Sequence, residues 1–450
     1  MDALTRQLAS FVAQPHLDHI PDAAIRIIRT GFIDTMATML AGAPEPVTRI
    51  VLEYVREKRS SVSEASVLPS LERASAADAA LVNGVAAHAL DYDDVALGGH
   101  PSTVLVPTVL AQGEALGVSG EAVLRAYLVG YEVWAELIGR ERDTHHTKGW
   151  HPTAVFGTVA SAASAAHLAR LDAQTARHAL AIAASLAAGL TANFGTMTKP
   201  FHAGRAAANG IEAVKLAQAD MTASADAFEH AGGFLAAFSP QGNVDRLRPA
   251  SELGKNLAIL GAGLSIKKYP MCYATHRVID GVLDLARDNG IGAADVEHIE
   301  ATIGEAQVGM LRNHDPVTGL EAKFSLEFAV ACALVAGKVG LAQLTDAFVN
   351  QAQVKETMRK VSILTTTSRC PVEPIFAFAD RVVLRLKDGR TLDSGDIRFA
   401  RGNAKLPLAD PELHAKFIDC ASLAPGIEAQ ALFERLIKLE RLDTVHELLG

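Results

Sequence analysis

What most constrains this chain is a run of helical stretches that are apolar on nearly every face. Residues 76–90, 120–138, 151–168, 173–186 and 203–219 all follow the helical period, and several carry small apolar side chains all the way round. A helix with one apolar stripe can lie on a surface, but one that is apolar all round must be enclosed by neighbours. A series of them requires a multi-layer helical bundle. The filling is unusual in kind. Hydrophobic residues make up 49% of the chain but aromatic residues only 5%, so alanine, glycine and leucine do most of the packing. Small side chains suit closely approaching helices better than a β-sandwich.

The helical pattern starts with Ile20-Pro21-Asp22, which opens a helix through Ile28 and Phe32 to Met39, stopped near Gly42 and Pro44. It continues to about residue 265, and then the period changes. Residues 296–303 alternate as a strand does. Val382 to Leu386, Asp388-Gly389, then Thr391-Leu392 reads as a β-hairpin with an Asp-Gly turn. Residues 326–335 and 341–348 read as helices between them, and the tail from Pro411 is helical again. A chain of 450 residues exceeds one ordinary domain. The expected architecture is mainly α: a large helical domain, 1–265 together with 401–450, plus a smaller α/β lid domain, 266–400.

Charge and cysteine content narrow the function. A net charge of −9 argues against a nucleic-acid partner, which needs a basic face. An anionic substrate would have to be drawn in locally by a few focused lysines and histidines. Cys272, Cys332, Cys370 and Cys420 are scattered without a C-x-x-C pair, unlike a disulfide framework or zinc knuckle. The N-terminal segment Met1 to Arg6 leads into an amphipathic stretch without the apolar core of a signal peptide. The most apolar run, 179–192, reads as a buried helix and not a membrane span. The expectation is a cytoplasmic protein with no membrane partner.

Dinucleotide, P-loop and nucleophile-elbow motifs are all missing, and Gly261-Ala262-Gly263 lacks the third glycine of a Rossmann turn. A hydride-transfer or nucleotide-driven reaction is therefore not expected. Four polar segments interrupt the apolar helices. The first runs from Asn83 through His88, Asp91, Asp93 and Asp94 to Gly98-Gly99-His100-Pro101-Ser102. Three carboxylates at a helix C-terminus oppose the helix dipole, which calls for some compensating role. The second is Lys148-Gly149-Trp150-His151-Pro152-Thr153, with a histidine at a loop–helix junction. The third spans Gly189 to Arg205, where Lys199, His202 and Arg205 fall among three glycines in a loop able to hold a carboxylate. The fourth, Lys267 to Arg277, sits where the two patterns meet and includes Tyr269, Cys272 and His276. Each also has an ordinary reading: solvated aspartates, a core or capping histidine, an interhelical turn, a basic connector. His145, His146 and His151 are close in sequence, yet they lack metal-ligand spacing and lie among Arg140, Arg142 and Lys148, so no metal is expected.

These four segments also carry a resemblance. Asp91-Tyr92-Asp93-Asp94 with Gly99-His100-Pro101-Ser102, then Gly149 to Thr153, Gly195 to Pro200, and Lys267 to Cys272, in that order, resemble the MmgE/PrpD family. That resemblance implies a homodimer whose helical domain is built from both chain ends, with an inserted lid and a site between the domains. It implies no metal or organic cofactor, and by motif position assigns Asp91, His100, His151, Lys199 and Lys267 to the active site. His202, Arg205, Tyr269, Cys272 and His276 are the expected substrate-binding neighbours. Cys272 stands where the cis-aconitate decarboxylases of the family carry a histidine, and the stretch after Asp94 lacks their threonine.

The chemistry expected is removal of a proton next to a carboxylate of a small di- or tricarboxylate. Lys199 and Lys267 would neutralise carboxylate and enolate charge, with His100 and His151 as acid and base and Asp91 orienting a histidine. A hydro-lyase of the 2-methylcitrate dehydratase type is the first expectation. An epimerase of the iminodisuccinate type is the second, and the third is a carboxylate-binding helical protein without catalysis.

Overall fold

The computed structural model describes residues 3–17, 19–58, 60–68, 70, 72–373 and 375–449. Met1 and Asp2, part of the N-terminal segment read above, lie outside the described residues. The backbone gathers into two compact units, Met1–Ser265 with Ala409–Gly450, and Ile266–Leu408.

The first unit is helical, with α1 (Leu4–Ala13), α2 (Asp22–Gly42) and α3 (Pro46–Glu57) preceding a small antiparallel hairpin, β1 (Ala65–Val67) and β2 (Glu72–Ala74). The bundle continues with α4 (Ala76–His88), α5 (Ser102–Leu116), α6 (Gly120–Ile138), α7 (Pro152–Leu168), α8 (Ala173–Leu186) and α9 (Thr198–Gln218). Local chemistry sets many of the ends: Ser75, Ser119 and Asp172 cap α4, α6 and α8 through their side chains, and Pro152 opens α7. Every residue of α4 is buried, as is nearly every residue of α7, which is the enclosure that their all-round apolar pattern demands.

Glycines let these helices touch backbone to backbone. A Cβ on Gly204 of α9 would stand 2.1 Å from the Leu81 carbonyl oxygen of α4, and one on Gly84 would stand 2.7 Å from Gly204 Cα. On the other side of α9, a Cβ on Gly210 would meet Ser161 Oγ of α7 at 2.2 Å. The ring of His88 at the end of α4 lies 6.1 Å from that of His151 at the start of α7, and His151 Nδ1 is 3.1 Å from His202 Nδ1 in the second turn of α9. The end of α4 and the beginnings of α7 and α9 therefore meet at one place.

The second unit holds α10 (His276–Asn289), α11 (Leu326–Ala336) and a four-stranded sheet of β3 (Val296–Gly304), β4 (Val361–Thr366), β5 (Arg381–Leu386) and β6 (Thr391–Asp393). The sheet order is β4-β3-β5-β6, with β3 parallel to β4 and antiparallel to β5. Its core packs Val278, Ile279 and Val282 of α10 with Ile299, Ala301 and Ile303 of β3 and the buried run of α11. The tail supplies α12 (Asp410–Ala421) and α13 (Ala429–Leu436) to the first unit.

The result is mainly helical with two small sheets, and four details differ from expectation. Helix α9 begins at Thr198, five residues before the predicted start, because Pro200 in its first turn gives up an N–H that no helical carbonyl needs. The helical pattern stops at Gln218. Residues 219–257 are turns and bends around the five-residue helix Phe234–Phe238, since Gly232-Gly233 and Ser239-Pro240 break the period. The run 179–192 ends as helix at Leu186. Residues 341–348 form two separate turns, Leu341–Gln343 and Asp346–Val349, because Thr345 caps the second through its side chain. No helix among the described residues is long and apolar enough to cross a membrane.

Candidate active site

The meeting point of α4, α7 and α9 collects ionisable side chains from four stretches of chain. Helix α4 delivers His88 as its last residue, His151 stands just before the first residue of α7, and α9 carries Lys199 and His202 in its first two turns. The loop 89–101 brings Asp91, Asp93, Asp94 and His100.

That loop is pinned at several points. Asp91 adopts a left-handed conformation with φ 52°. Ala96 and Gly99 pair around Leu97 and Gly98, whose φ values of 49° and 68° make a type I′ turn. Gly99 lies so close to α7 that a Cβ there would come within 3.0 Å of Thr153 N, and the His100 N–H donates to Thr153 Oγ1 at 3.1 Å. Asp94 accepts from Ser102 Oγ at 3.0 Å, and Ser102 in turn meets the Tyr127 hydroxyl at 2.7 Å. Lys416 of α12 donates to the Tyr92 carbonyl at 2.8 Å and pairs with buried Asp34 at 2.5 Å, so the C-terminal tail braces the same loop.

Around this frame the charges are arranged unevenly. Asp93 is fully buried and lies 2.9 Å from His88 Nδ1 and 2.7 Å from His100 Nδ1. Burial alone would raise its carboxyl, but the two histidines outweigh burial and hold it well below the usual carboxylate range. Asp94 goes the other way: burial, with Asp34 and Asp93 nearby, pushes it well above that range. Burial lowers His88 to about 4, against the pull of Asp93. His151 is lowered well below its ordinary value, first by burial and then by Lys199, and its Nδ1 meets His202 Nδ1 at 3.1 Å. Lys199 donates to Asp91 Oδ1 at 2.7 Å and lies 5.4 Å from the centre of the Phe194 ring. The imidazoles of His88 and His100 are 4.4 Å apart, and Phe194 meets the His151 ring edge-on at 4.8 Å.

Of the expected residues, Asp91, His100, His151, Lys199 and His202 thus come together. Arg205 pairs with Glu212 along α9 at 3.0 Å. Lys267, Tyr269, Cys272 and His276 belong to the second unit. There Lys267 and His276 are buried, Cys272 is half-buried, and the Tyr269 hydroxyl donates to Asp280 at 2.7 Å. Lys199 and His202 stand on a helix and not in the expected loop. His88 and Asp93 lie within the first polar segment, but the sequence assigned neither of them a role. Their five-residue separation matches no standard motif, and only the bend after α4 folds one onto the other.

The histidines also group differently from their sequence spacing. His145 packs against Phe156, whereas His88, His100 and His151 each offer a nitrogen within 4.8 Å of the others. His88, Asp91, Asp93 and His100 form a second set of that kind. The Lys199 ammonium already holds Asp91, and the N-termini of α7 and α9 offset the C-terminus of α4, which suits an anion placed beside Lys199. Cationic groups, neutral imidazoles and a sequestered carboxylate together suit the binding of an acid and the movement of a proton beside it.

Comparison with known proteins agrees in kind. Residues 6–247 match the MmgE/PrpD N-terminal domain and residues 269–439 the MmgE/PrpD C-terminal domain. The chain is 28% identical to cis-aconitate decarboxylase of Homo sapiens over 93% of its own length and 87% of that protein. It is 28% identical to cis-aconitate decarboxylase of Mus musculus over 98% and 92%, and 25% identical to that of Aspergillus terreus over 80% and 78%. The chain belongs to the MmgE/PrpD family.

Proposed function

We propose that this MmgE/PrpD family member is a lyase that acts on a small di- or tricarboxylate through a carbanion next to a carboxylate, using side chains alone. The observation that carries the reading is a fixed ammonium set beside a histidine that burial keeps uncharged. Lys199 sits 2.7 Å from Asp91 at the start of a helix, beside His100 and a His151 kept uncharged by burial and by Lys199 itself. A proton on carbon beside a carboxylate is weakly acidic, so a fixed cation must share the charge that develops on the carboxylate oxygens. Lys199 fills that role. Lys267 has the matching role that the family resemblance implies.

As a hydro-lyase, the enzyme takes the proton onto His100 Nε2, and the electron pair of the C–H bond becomes the new carbon–carbon double bond. The C–O bond on the adjacent carbon breaks, and the departing hydroxide takes the proton from His100 and leaves as water. His151 hydrogen-bonds the departing oxygen. Decarboxylation is the second reading, favoured by the names of the relatives. There the carbanion arises as CO2 leaves, and an imidazolium returns a proton to carbon.

Incubation in deuterated water with a panel of citrate-, malate- and aspartate-like acids separates these outcomes. A new product absorbing in the ultraviolet, without CO2, supports the hydro-lyase. Release of CO2 supports decarboxylation, and deuterium with inverted stereochemistry and no elimination would make the enzyme an epimerase. None of these, with only thermal stabilisation by the acid, would leave a binding protein. Turnover should survive dialysis against EDTA; its loss, with restoration by one particular metal, would overturn a chemistry of side chains alone.

A further inference from the structure

A buried carboxylate that the proposed reaction does not use sits between two histidines. Asp93 has no solvent exposure, and its Oδ1 lies 2.9 Å from His88 Nδ1 while its Oδ2 lies 2.7 Å from His100 Nδ1. His100 Nδ1 directs its hydrogen bond to the Asp94 carbonyl oxygen at 2.9 Å, while Asp93 Oδ2 approaches it from the side as a charge and takes no hydrogen bond. Both neighbours of that nitrogen are acceptors, so Nδ1 must carry a hydrogen. The other nitrogen, Nε2, is 3.8 Å from Asp91 Oδ1, the oxygen that also takes Lys199. A neutral imidazole has one N–H, and whichever nitrogen holds it decides which nitrogen can accept a proton.

We infer that Asp93 is a positioning residue: bridging His88 and His100, it fixes the Nδ1–H tautomer of His100 and turns Nε2, free to take a proton, toward Asp91 and Lys199. This rests on the reading of His100 as the group that moves the proton. His88 is the counterpart that makes the bridge stable. It holds Asp93 Oδ1 at 2.9 Å, so the carboxylate does not rotate away and Oδ2 keeps facing His100 Nδ1. Both ends of the bridge are fixed by backbone: His88 by the end of α4, and His100 by the Gly99 contact with α7. The ionised state of Asp93 agrees, since burial opposes its charge and the two imidazoles restore it. The Asp94 carbonyl is the rival explanation for the same tautomer, and the test must separate the two.

The test is Asp93→Asn, close to isosteric, read in two ways. With histidines labelled in nitrogen-15, and His100 assigned by the signal lost in His100→Gln, long-range nitrogen–proton spectra of the unliganded protein report its tautomer. The expected result is Nδ1–H in the parent protein and a loss of that preference in Asp93→Asn, because an amide can present N–H where the carboxylate accepted. On whichever acid the enzyme turns over, kcat should fall by about 10²- to 10⁴-fold with KM changed less than about threefold, as when an orienting carboxylate loses its charge. Asp93→Glu should recover part of that loss. An Nε2–H tautomer in the parent protein overturns the inference at once, and so does an Nδ1–H tautomer that survives in Asp93→Asn, which would hand the role to the Asp94 carbonyl. The spectra need no substrate. If no acid is turned over, the proposed function fails while the tautomer result still decides for or against Asp93.

Discussion

The two units bury charge in opposite ways. In the second unit, buried and half-buried carboxylates gather around two arginines. Arg277 donates to the Ala377 carbonyl at 2.8 Å and to Glu373 at 3.1 Å, with Asp380 at 3.8 Å. Arg401 donates to Asp284 at 2.6 Å and to Asp280 at 3.3 Å, and Asp280 also takes the Tyr269 hydroxyl. Such sets hold elements together: Arg401 joins the end of the α/β unit to α10, and Arg277 ties α10 to the segment before β5. In the first unit, one carboxylate faces two histidines, burial and nearby carboxylates push the carboxyl next to it well above the usual range, and further imidazoles are held below theirs. The first pattern spends its charges on one another. The second leaves nitrogens able to bind or move a proton, and this difference separates scaffold from site.

The contrast can be tested by removing one charge from each unit. Of these charge removals the largest effect is expected at Lys199→Ala, which should cost about 2–4 kcal/mol of transition-state stabilisation, by analogy with a lost oxyanion donor. Steady-state kinetics on the accepted acid should show KM rising and kcat falling together. His151→Ala should lower kcat with less change in KM, and a folded His151→Ala enzyme with full activity would remove that residue from the chemistry.

Arg277→Met should act instead on stability, by about 2–3 kcal/mol in urea denaturation, because it strands Glu373 and Asp380. Burial already pushes Asp380 up to about 7, so below that pH its carboxyl can go neutral and soften the loss. The destabilisation should therefore grow as pH rises through 7. A loss of turnover without a loss of stability would show that the ion pairs of the second unit are not mere scaffold.

The smallest effect is a slope. His88 is lowered from 6.5 to about 4 by burial, so its folded form stays neutral where the unfolded chain takes up a proton. Its contribution to stability is complete above pH 6.5 and is lost as pH falls toward 4, by roughly 1.4 kcal/mol per pH unit. His88→Gln should remove about one proton's worth of that slope between pH 6 and 4.5, while the slope due to His151, lowered in the same direction, remains. An unchanged slope in denaturation curves would mean that His88 charges freely inside the fold.

Local information alone determined a good deal here. The helices Gly120–Ile138 and Ala173–Leu186 end where their caps and periods say, and the Asp388-Gly389 hairpin joins β5 to β6 as its turn chemistry requires. Asp91, His100, His151 and Lys199 could be named because short motifs carry them. Other features had no local signature. The first turn of α9 reads as loop until α4 and α7 close around it, and the edge strand β4, half exposed, shows no clean alternation. His88 and Asp93 became partners only through the bend after α4. Charge preference belongs wholly to the tertiary structure: Asp93 and Asp94 are chemically identical neighbours in sequence, yet against burial two imidazoles hold one well below the usual carboxylate range, while burial and nearby carboxylates push the other well above it. Periodicity and capping depend on residues a few positions apart, whereas the energy of a charge depends on every group packed around it, and here those groups come from residues as far apart as Asp34 and Lys199.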